Sequence, residues 1–449
     1  MNNLVLEIIK FLISFVEAIN EIVWGIPLII LILGTGIYLT FRTRFIQVTR
    51  SRLIIGTVIS GFLSKKGVGD ISSFQALTTA LAATVGTGNI AGVATAISLG
   101  GAGSMFWMWL SAFFGMITKY SEIVLAVHYR KSRGGGVAGG PMYFLEAGLN
   151  NRLLAVLFAV FGSLAAFGIG NMVQANSVAD AVGETLGAPS LATGLVLAVA
   201  AGLVILGGIK RIGSITEKVV PFMAALYVIG AVAIIITHRE AVPGALVSIF
   251  NLAFTREAAV GGFVGSGVRE AVRFGVARGI FTNEAGLGSA SIAHASARTE
   301  HPVQQGVWGI VEVFVDTLLI CTLTALVILV TGALDSGLEG AALTSEAFNR
   351  GLPGPGGLIV SIGLIFFAFT TLLAWSFYGE KCFEYLFGTR ASLRYRQAWL
   401  PFIVVGAVGG LRSIWAVADT LNGLMAIPNL IGLIGLSGIV VKLTREYFK

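Results

Sequence analysis

Two stretches of this chain set small polar residues beside paired glycines inside long apolar runs. They are Thr84-Val85-Gly86-Thr87-Gly88-Asn89 and Phe281-Thr282-Asn283-Glu284-Ala285-Gly286-Leu287-Gly288-Ser289. Glycine costs a helix about 1 kcal/mol relative to alanine, and an unwound backbone in lipid leaves its peptide groups unpaired. A helix broken at such a place is tolerated when it is buried or lines a cavity, where its amides and carbonyls can serve a ligand. Close packing accounts for many of the 59 glycines, because small residues let membrane helices approach one another. It accounts poorly for Asn89, Asn283 and Glu284, since polar groups at mid-membrane are usually functional.

Other chemistries lack their residues. No strand precedes the Gly-x-Gly pairs and no acidic residue follows at the spacing of a dinucleotide fingerprint. The run Gly134–Pro141 has no P-loop lysine and reads as a structural loop. His128, His238, His294 and His301 are scattered, and Cys321 and Cys382 give neither zinc spacing nor a disulfide framework. No nucleophile stands beside a base, so an enzyme is not expected. Five acids lie in or beside apolar runs: Glu122, Asp180, Glu284, Glu312 and Asp316. Glu312 and Asp316 are four apart and share a helix face. They could bind a cation, relay protons, pair with Arg269, Arg273 or Arg278, or face a vestibule. For Glu122 the arginine pairing or vestibule exposure is expected.

The elements that must carry these residues are membrane helices. Of 449 residues 55% are hydrophobic and 12% charged, against roughly 25% charged in a soluble domain. The apolar runs are continuous, unlike the alternating strands of a barrel. At about 20 apolar residues per span, eleven spans are predicted near 22–41, 72–99, 104–127, 153–180, 190–208, 219–237, 260–296, 304–331, 356–379, 398–417 and 423–442. Lys and Arg concentrate in alternate loops, such as 42–66, 130–133, 210–218 and 390–396. By the positive-inside rule the amino terminus lies outside and the carboxyl terminus in the cytoplasm of a plasma-membrane protein. The same rule absorbs the net charge of +7 without a nucleic-acid partner. Residues 1–21 lack the pattern of a cleaved signal and predict an amphipathic helix lying on the bilayer.

The glycine-broken spans 72–99 and 260–296 each open a set of five. An odd number per set makes the second enter the membrane from the opposite side, an inverted 5+5 repeat preceded by one extra helix. The chain then divides into 1–70 (amphipathic segment, extra helix, basic cytoplasmic loop), 71–240 (first repeat) and 241–449 (extracellular loop and second repeat). A channel built on re-entrant glycine segments is a weaker alternative, because it predicts fourfold pore symmetry rather than two broken helices.

The stretch Gly100-Gly101-Ala102-Gly103-Ser104-Met105-Phe106-Trp107-Met108-Trp109-Leu110, running on to Gly115, resembles the signature of the alanine/glycine:cation symporters, also called sodium:alanine symporters. Ser104 departs from it, where glycine or alanine is usual. Ala83–Gly92, Gly139-Gly140-Pro141-Met142-Tyr143 and Phe281–Gly288 are also similar to family motifs, and the likeness spans nearly the whole chain. It implies the leucine-transporter-like all-α fold of the amino acid/polyamine/organocation superfamily. It also implies sodium-coupled import of small neutral amino acids, alanine and glycine, with proton coupling as the alternative and no cofactor beyond Na⁺.

By the same resemblance Thr370 and Thr371 would bind Na⁺ with the carbonyls of Ala82 and Val85, oxygen ligands that suit a hard cation. A second sodium site would map to Thr84, Asn89 and Thr282. A zwitterionic substrate would set its carboxylate on the amides of Gly86, Thr87, Gly88 and Asn89, at the positive end of a half-helix. Its amine would meet carbonyls near Thr84 and Phe281 and a hydroxyl such as Thr371. Phe281, Trp375, Asn171 and Gln174 would close the side-chain pocket, the last three equally open to an interhelical packing role.

Overall fold

The structure is a computed structural model that describes residues 18–20, 23–62, 66–133, 136–255, 267–409 and 412–449. The amphipathic segment expected over residues 1–21 and the start of the 260–296 span lie largely outside them.

The chain is almost wholly helical. Its principal elements are α1 (Ile26–Arg42), α2 (Ser73–Thr84), α3 (Gly88–Gly100), α4 (Ser104–His128), α5 (Arg152–Gly183), α6 (Ser190–Ile205) and α7 (Gly208–Thr237). They continue as α8 (Val268–Asn283), α9 (Ala290–Ala295), α10 (Pro302–Val330), α11 (Gly356–Phe387), α12 (Ala391–Val408), α13 (Arg412–Gly435) and α14 (Ser437–Tyr447). Among the described residues six helices are long and apolar enough to cross a membrane, and α2 with α3 form a seventh, bent by 50° at its break. α1 and α6 are apolar helices of 17 and 16 residues. Leu195, Val196, Val199 and Leu203 of α6 and Ile229 and Ile236 of α7 are exposed, the outward apolar faces that lipid covers.

Capping chemistry starts two of the helices. Ser72 accepts from the Gln75 amide while Gln75 accepts from the Ser72 amide, so α2 starts on a reciprocal cap. α10 starts in the same way, with His301 and Gln304 around Pro302.

Several boundaries differ from the sequence expectation. Residues 210–218, read as a basic loop, are the first turns of α7, which runs unbroken for 30 residues. The basic loop after α1 contains a helix, Ser51–Phe62. The last two spans sit earlier than 398–417 and 423–442, because the backbone turns extended at Gly409; α14 beyond them buries only Ser437, Val440, Val441 and Thr444. After α4, β1 (Lys131–Arg133) pairs antiparallel with β2 (Gly136–Ala138), which takes up part of the glycine-rich run.

α4 packs along α8 and α10, while α11 lies against α2, α5 and α7. Three helices carry π-type turns: Gly88–Gly92 in α3, Ala166–Met172 in α5 and Phe314–Cys321 in α10. Such widened turns recur at functional sites; those of α3 and α10 pack against each other and against α8, while that of α5 packs against α11, α12 and α13.

Candidate functional site

The first break is short. α2 ends at Val85, which is extended, and α3 resumes at Gly88. The Asn89 side chain accepts from the Gly86 amide at 2.8 Å and donates to the Asp316 carboxylate at 2.7 Å. Thr317 donates to the other Asp316 oxygen, and Asn283 donates to Thr317. One polar chain thus runs from the first break through the π turn of α10 to the second. The second break spans Glu284 to Ser289, with Glu284, Gly286 and Gly288 at φ +54°, +101° and +82°. Glycine tolerates that left-handed region at no steric cost; Glu284 does not.

Between the breaks lies a cavity of about 20 Å³, room for about one water. It brings together Thr84, Gly86, Thr87, Gly88, Phe281, Thr371, Trp375 and Gln174, all expected from sequence, with Ala83, Ile169, Glu284 and Asn422. Trp375 donates to Glu284 at 3.0 Å. The Gln174 and Asn422 side-chain oxygens are buried without a hydrogen-bond partner among the described residues. Next to it a larger cavity of about 390 Å³, lined also by Asp180 and Arg278, shares Thr87 and Phe281 with the small one. The Phe281 ring lies under the Arg278 guanidinium, 5.7 Å from centroid to carbon.

Thr371 donates to the Ala82 carbonyl at 2.8 Å, joining α11 to the first break. Thr370 turns the other way, toward the Phe367 carbonyl and Met223 of α7. Thr84 bonds back to Ala80 in its own helix. Asn89 and Thr282 therefore gather around Asp316 and Cys321, while the Thr84 hydroxyl faces elsewhere. Asn171 does not line the cavity; it donates to the Trp399 carbonyl and ties α5 to α12.

The glycines of the first break lie close against neighbouring side chains. A Cβ on Gly86 would sit 2.9 Å from the Thr371 hydroxyl, and one on Gly88 would sit 2.9 Å from the Thr282 methyl. The Gly86 amide, moreover, is already taken by Asn89.

Glu122, Glu284, Glu312 and Asp316 are engaged with partners other than arginine. Glu122, expected to pair with arginine or face a vestibule, is buried and accepts from the amides of Gly286 and Gly288 and from Asn429. The reason is local: the second break leaves amides with no helical partner, and a carboxylate one helix away satisfies them. Glu312 pairs with Lys119 at 3.1 Å and with His294 at 3.0 Å, all three fully buried. Gln305 donates to His294 Nδ1, which leaves Nε2–H to donate to Glu312.

Arg130, at the end of α4, donates to four backbone carbonyls: Val68, Ala295, Ala297 and Thr299. Val68 also bridges Thr299, and Ile71 bridges Ala297. Burial lowers the Arg130 pKa, and the nearby Asp70 carboxylate partly offsets this. One side chain thereby joins the segment leading into the first broken span to the segment leaving the second. Sequence reasoning missed Lys119, Asn422 and Asn429 and counted Arg130 only as loop charge. For Lys119 there was a signal, an ammonium inside an apolar span; for the two asparagines there was none.

The sequence profile of the sodium:alanine symporter family matches residues 9–449. The sodium/alanine symporter AgcS of Methanococcus maripaludis is 50% identical over 444 residues, covering 97% of both chains. The amino-acid carrier protein AlsT of Bacillus subtilis is 35% identical over 444 residues, covering 98% of this chain and 93% of its own. Among solved structures, MhsT in complex with L-phenylalanine superposes with a TM-score of 0.54 at 13% identity, over 85% of this chain and 100% of that one. That likeness shows a common fold.

Proposed function

From the premise that the chain belongs to the sodium:alanine symporter family, we propose that it is a sodium-coupled symporter importing alanine and glycine by alternating access. It is a multi-pass membrane protein. In this reading eleven spans cross the plasma membrane, divided at 1–70, 71–240 and 241–449 into a leading helix and two inverted five-helix repeats. The amino terminus is outside and the carboxyl terminus cytoplasmic. The observation that carries the reading is the small cavity enclosed by both broken spans, α5, α11 and α13.

The substrate carboxylate is held by the amides of Thr87, Gly88 and Asn89, at the start of α3, where the helix dipole favours negative charge. Gly86 acts indirectly, through its bond to Asn89. The ammonium meets the unpartnered oxygens of Gln174 and Asn422, with carbonyls near Thr84 and Phe281. Trp375, held by Glu284, bounds the side-chain end and leaves space for hydrogen or methyl. Cavity expansion accompanies binding, and Phe281 separates the site from the larger vestibule.

Na⁺ is bound by the Thr371 hydroxyl with the carbonyls of Ala82 and Val85; Thr370 contributes only after rotating away from Met223. A second Na⁺ lies by Asn89 and Thr282, where Asp316 supplies a carboxylate. On the cytoplasmic side Arg130 closes the path by clamping the segments around both breaks.

The test is uptake of labelled alanine into proteoliposomes with Na⁺ and pH gradients imposed separately. Accumulation is expected with the inward Na⁺ gradient alone; accumulation with the pH gradient alone would replace sodium by protons. Thr371→Val deletes one oxygen ligand at nearly constant shape. Losing a hydrogen bond to a charged group costs about 1.5–3 kcal/mol, so half-maximal uptake should need at least about tenfold more Na⁺. Unchanged Na⁺ dependence in a folded Thr371→Val protein would remove this site.

A further inference from the structure

Away from the substrate pathway, the connection after α1 folds back on the carboxyl-terminal helix and encloses a second large cavity. It measures about 670 Å³ and is lined by Arg42, Arg44, Arg50, Arg445 and Lys449. Ile46 and Phe448 give it an apolar wall. The arginines are exposed, and among the described residues none of the four stands within ion-pair distance of a carboxylate. Arg42 does donate to the Tyr38 hydroxyl and lies over that ring, which leaves its charge uncompensated.

The backbone that builds this cavity is costly. Arg44 and Phe45 occupy the left-handed region in succession, at φ +60° and +55°. Each such residue costs on the order of 1–2 kcal/mol outside glycine. The reversal ends α1 abruptly and turns the chain into the helix Ser51–Phe62. That helix buries only Ile54 and Val58, while Leu53, Ile55, Ile59 and Phe62 are exposed. A helix with an apolar outer face beside the end of a membrane span lies in the interface plane, its outer face among acyl chains. The cationic cavity therefore opens at headgroup depth, with hydrocarbon directly beside it.

We propose that this cavity binds the headgroup of an anionic glycerophospholipid, on the leaflet that faces the basic connections. The phosphate is held by Arg44, Arg50 and Arg445, and the acyl chains run along the outer face of Ser51–Phe62. Four arginines without a carboxylate partner among the described residues repel one another, and an anion relieves that repulsion. The neighbouring apolar helix selects a lipid over a free anion, since only a lipid fills both surfaces. The site is independent of the proposed sodium coupling and rests only on the chain being a membrane protein.

The experiment uses the full-length protein in detergent, titrated with phosphatidylglycerol while its thermal unfolding midpoint is followed. Parallel titrations use phosphatidylcholine and inorganic phosphate. Native mass spectrometry counts the lipid retained. Wild type should gain stability and retain one phosphatidylglycerol. Each cation near a membrane surface contributes about a fivefold factor in lipid affinity, so Arg44→Gln/Arg50→Gln/Arg445→Gln should bind about a hundredfold more weakly. A control carrying the same charge loss outside the cavity, Arg52→Gln/Arg390→Gln/Arg394→Gln, should bind as wild type does. Arg44→Lys/Arg50→Lys/Arg445→Lys should keep most of the affinity, which separates charge from misfolding. Equal loss in both triple variants would overturn the site. So would an equal response to phosphatidylcholine, or inorganic phosphate reproducing the full shift.

Discussion

Lys119→Met is expected to lower stability by about 3–5 kcal/mol, the cost of stranding a buried charge without its partner. Lys119 and Glu312 are fully buried and 3.1 Å apart. Removing the ammonium leaves Glu312 with His294 alone. It also removes a buried cation three residues from Glu122 on α4; Glu122 and Glu284, both buried, bond to groups around the second break. The double variant Lys119→Met/Glu312→Leu should recover more than half of the loss, because an apolar pair of similar volume can replace a buried ion pair at little cost. The check is the unfolding midpoint of purified protein, with the folded fraction from size-exclusion chromatography. If the single variant is as stable as wild type, Lys119 is not the counter-charge of Glu312 in the folded protein.

The consequence reaches transport through geometry. Glu122 holds the amides of Gly286 and Gly288, and it stands three residues from Lys119 on α4, hence on the same helix face. Glu284 holds Trp375 at the cavity wall. A protein with Lys119→Met that survives purification should therefore show weakened alanine binding as well as lowered stability, although Lys119 does not line the cavity.

How much of this was legible follows from sequence distance. The two breaks could be read directly, because glycine and amide side chains inside an apolar run conflict with an unbroken helix. Their meeting could be expected only from the repeat. The partners that stabilise them could not be read, since Glu122 meets Asn429 across 307 positions and Asn89 meets Asp316 across 227. Spacing rules act over one or two turns and carry no information at that range. Gly86 and Gly88 show the limit most clearly. Their type was informative, but the neighbours that demand it, Thr371 and Thr282, lie on other elements. Boundaries failed for a related reason: residues 210–218 are charged yet helical, because a helix leaving the bilayer can continue through the interface as a polar one.

The second large effect is expected at Arg130. Its planar guanidinium reaches carbonyls on both sides, Val68 at 2.8 Å and Ala297 at 2.8 Å being the shortest contacts. A glutamine there keeps at most two donors and no charge. Losing charge-assisted bonds worth about 1.5–3 kcal/mol each in part-exposed surroundings should shift the balance toward the cytoplasm-open state by at least tenfold. A cysteine reporter measures this directly. Ser296 is buried, and its carbonyl accepts from Asp70 and Ile71 within the clamped segment. In a Ser296→Cys background a maleimide should react at least about tenfold faster once Arg130→Gln is added. The native thiols Cys321 and Cys382 are both buried and contribute little background. Arg130→Lys should fall between, because an ammonium restores the charge but not the fork that reaches four carbonyls. Alanine uptake should slow in the same order, since a site that stays open to the cytoplasm returns less often to collect substrate. Slowed uptake with an unchanged labelling rate would make Arg130 a fixed brace of the hairpin β1–β2 and its neighbours. Unchanged uptake as well would leave alternating access to be closed by other contacts between the segments that flank the two breaks.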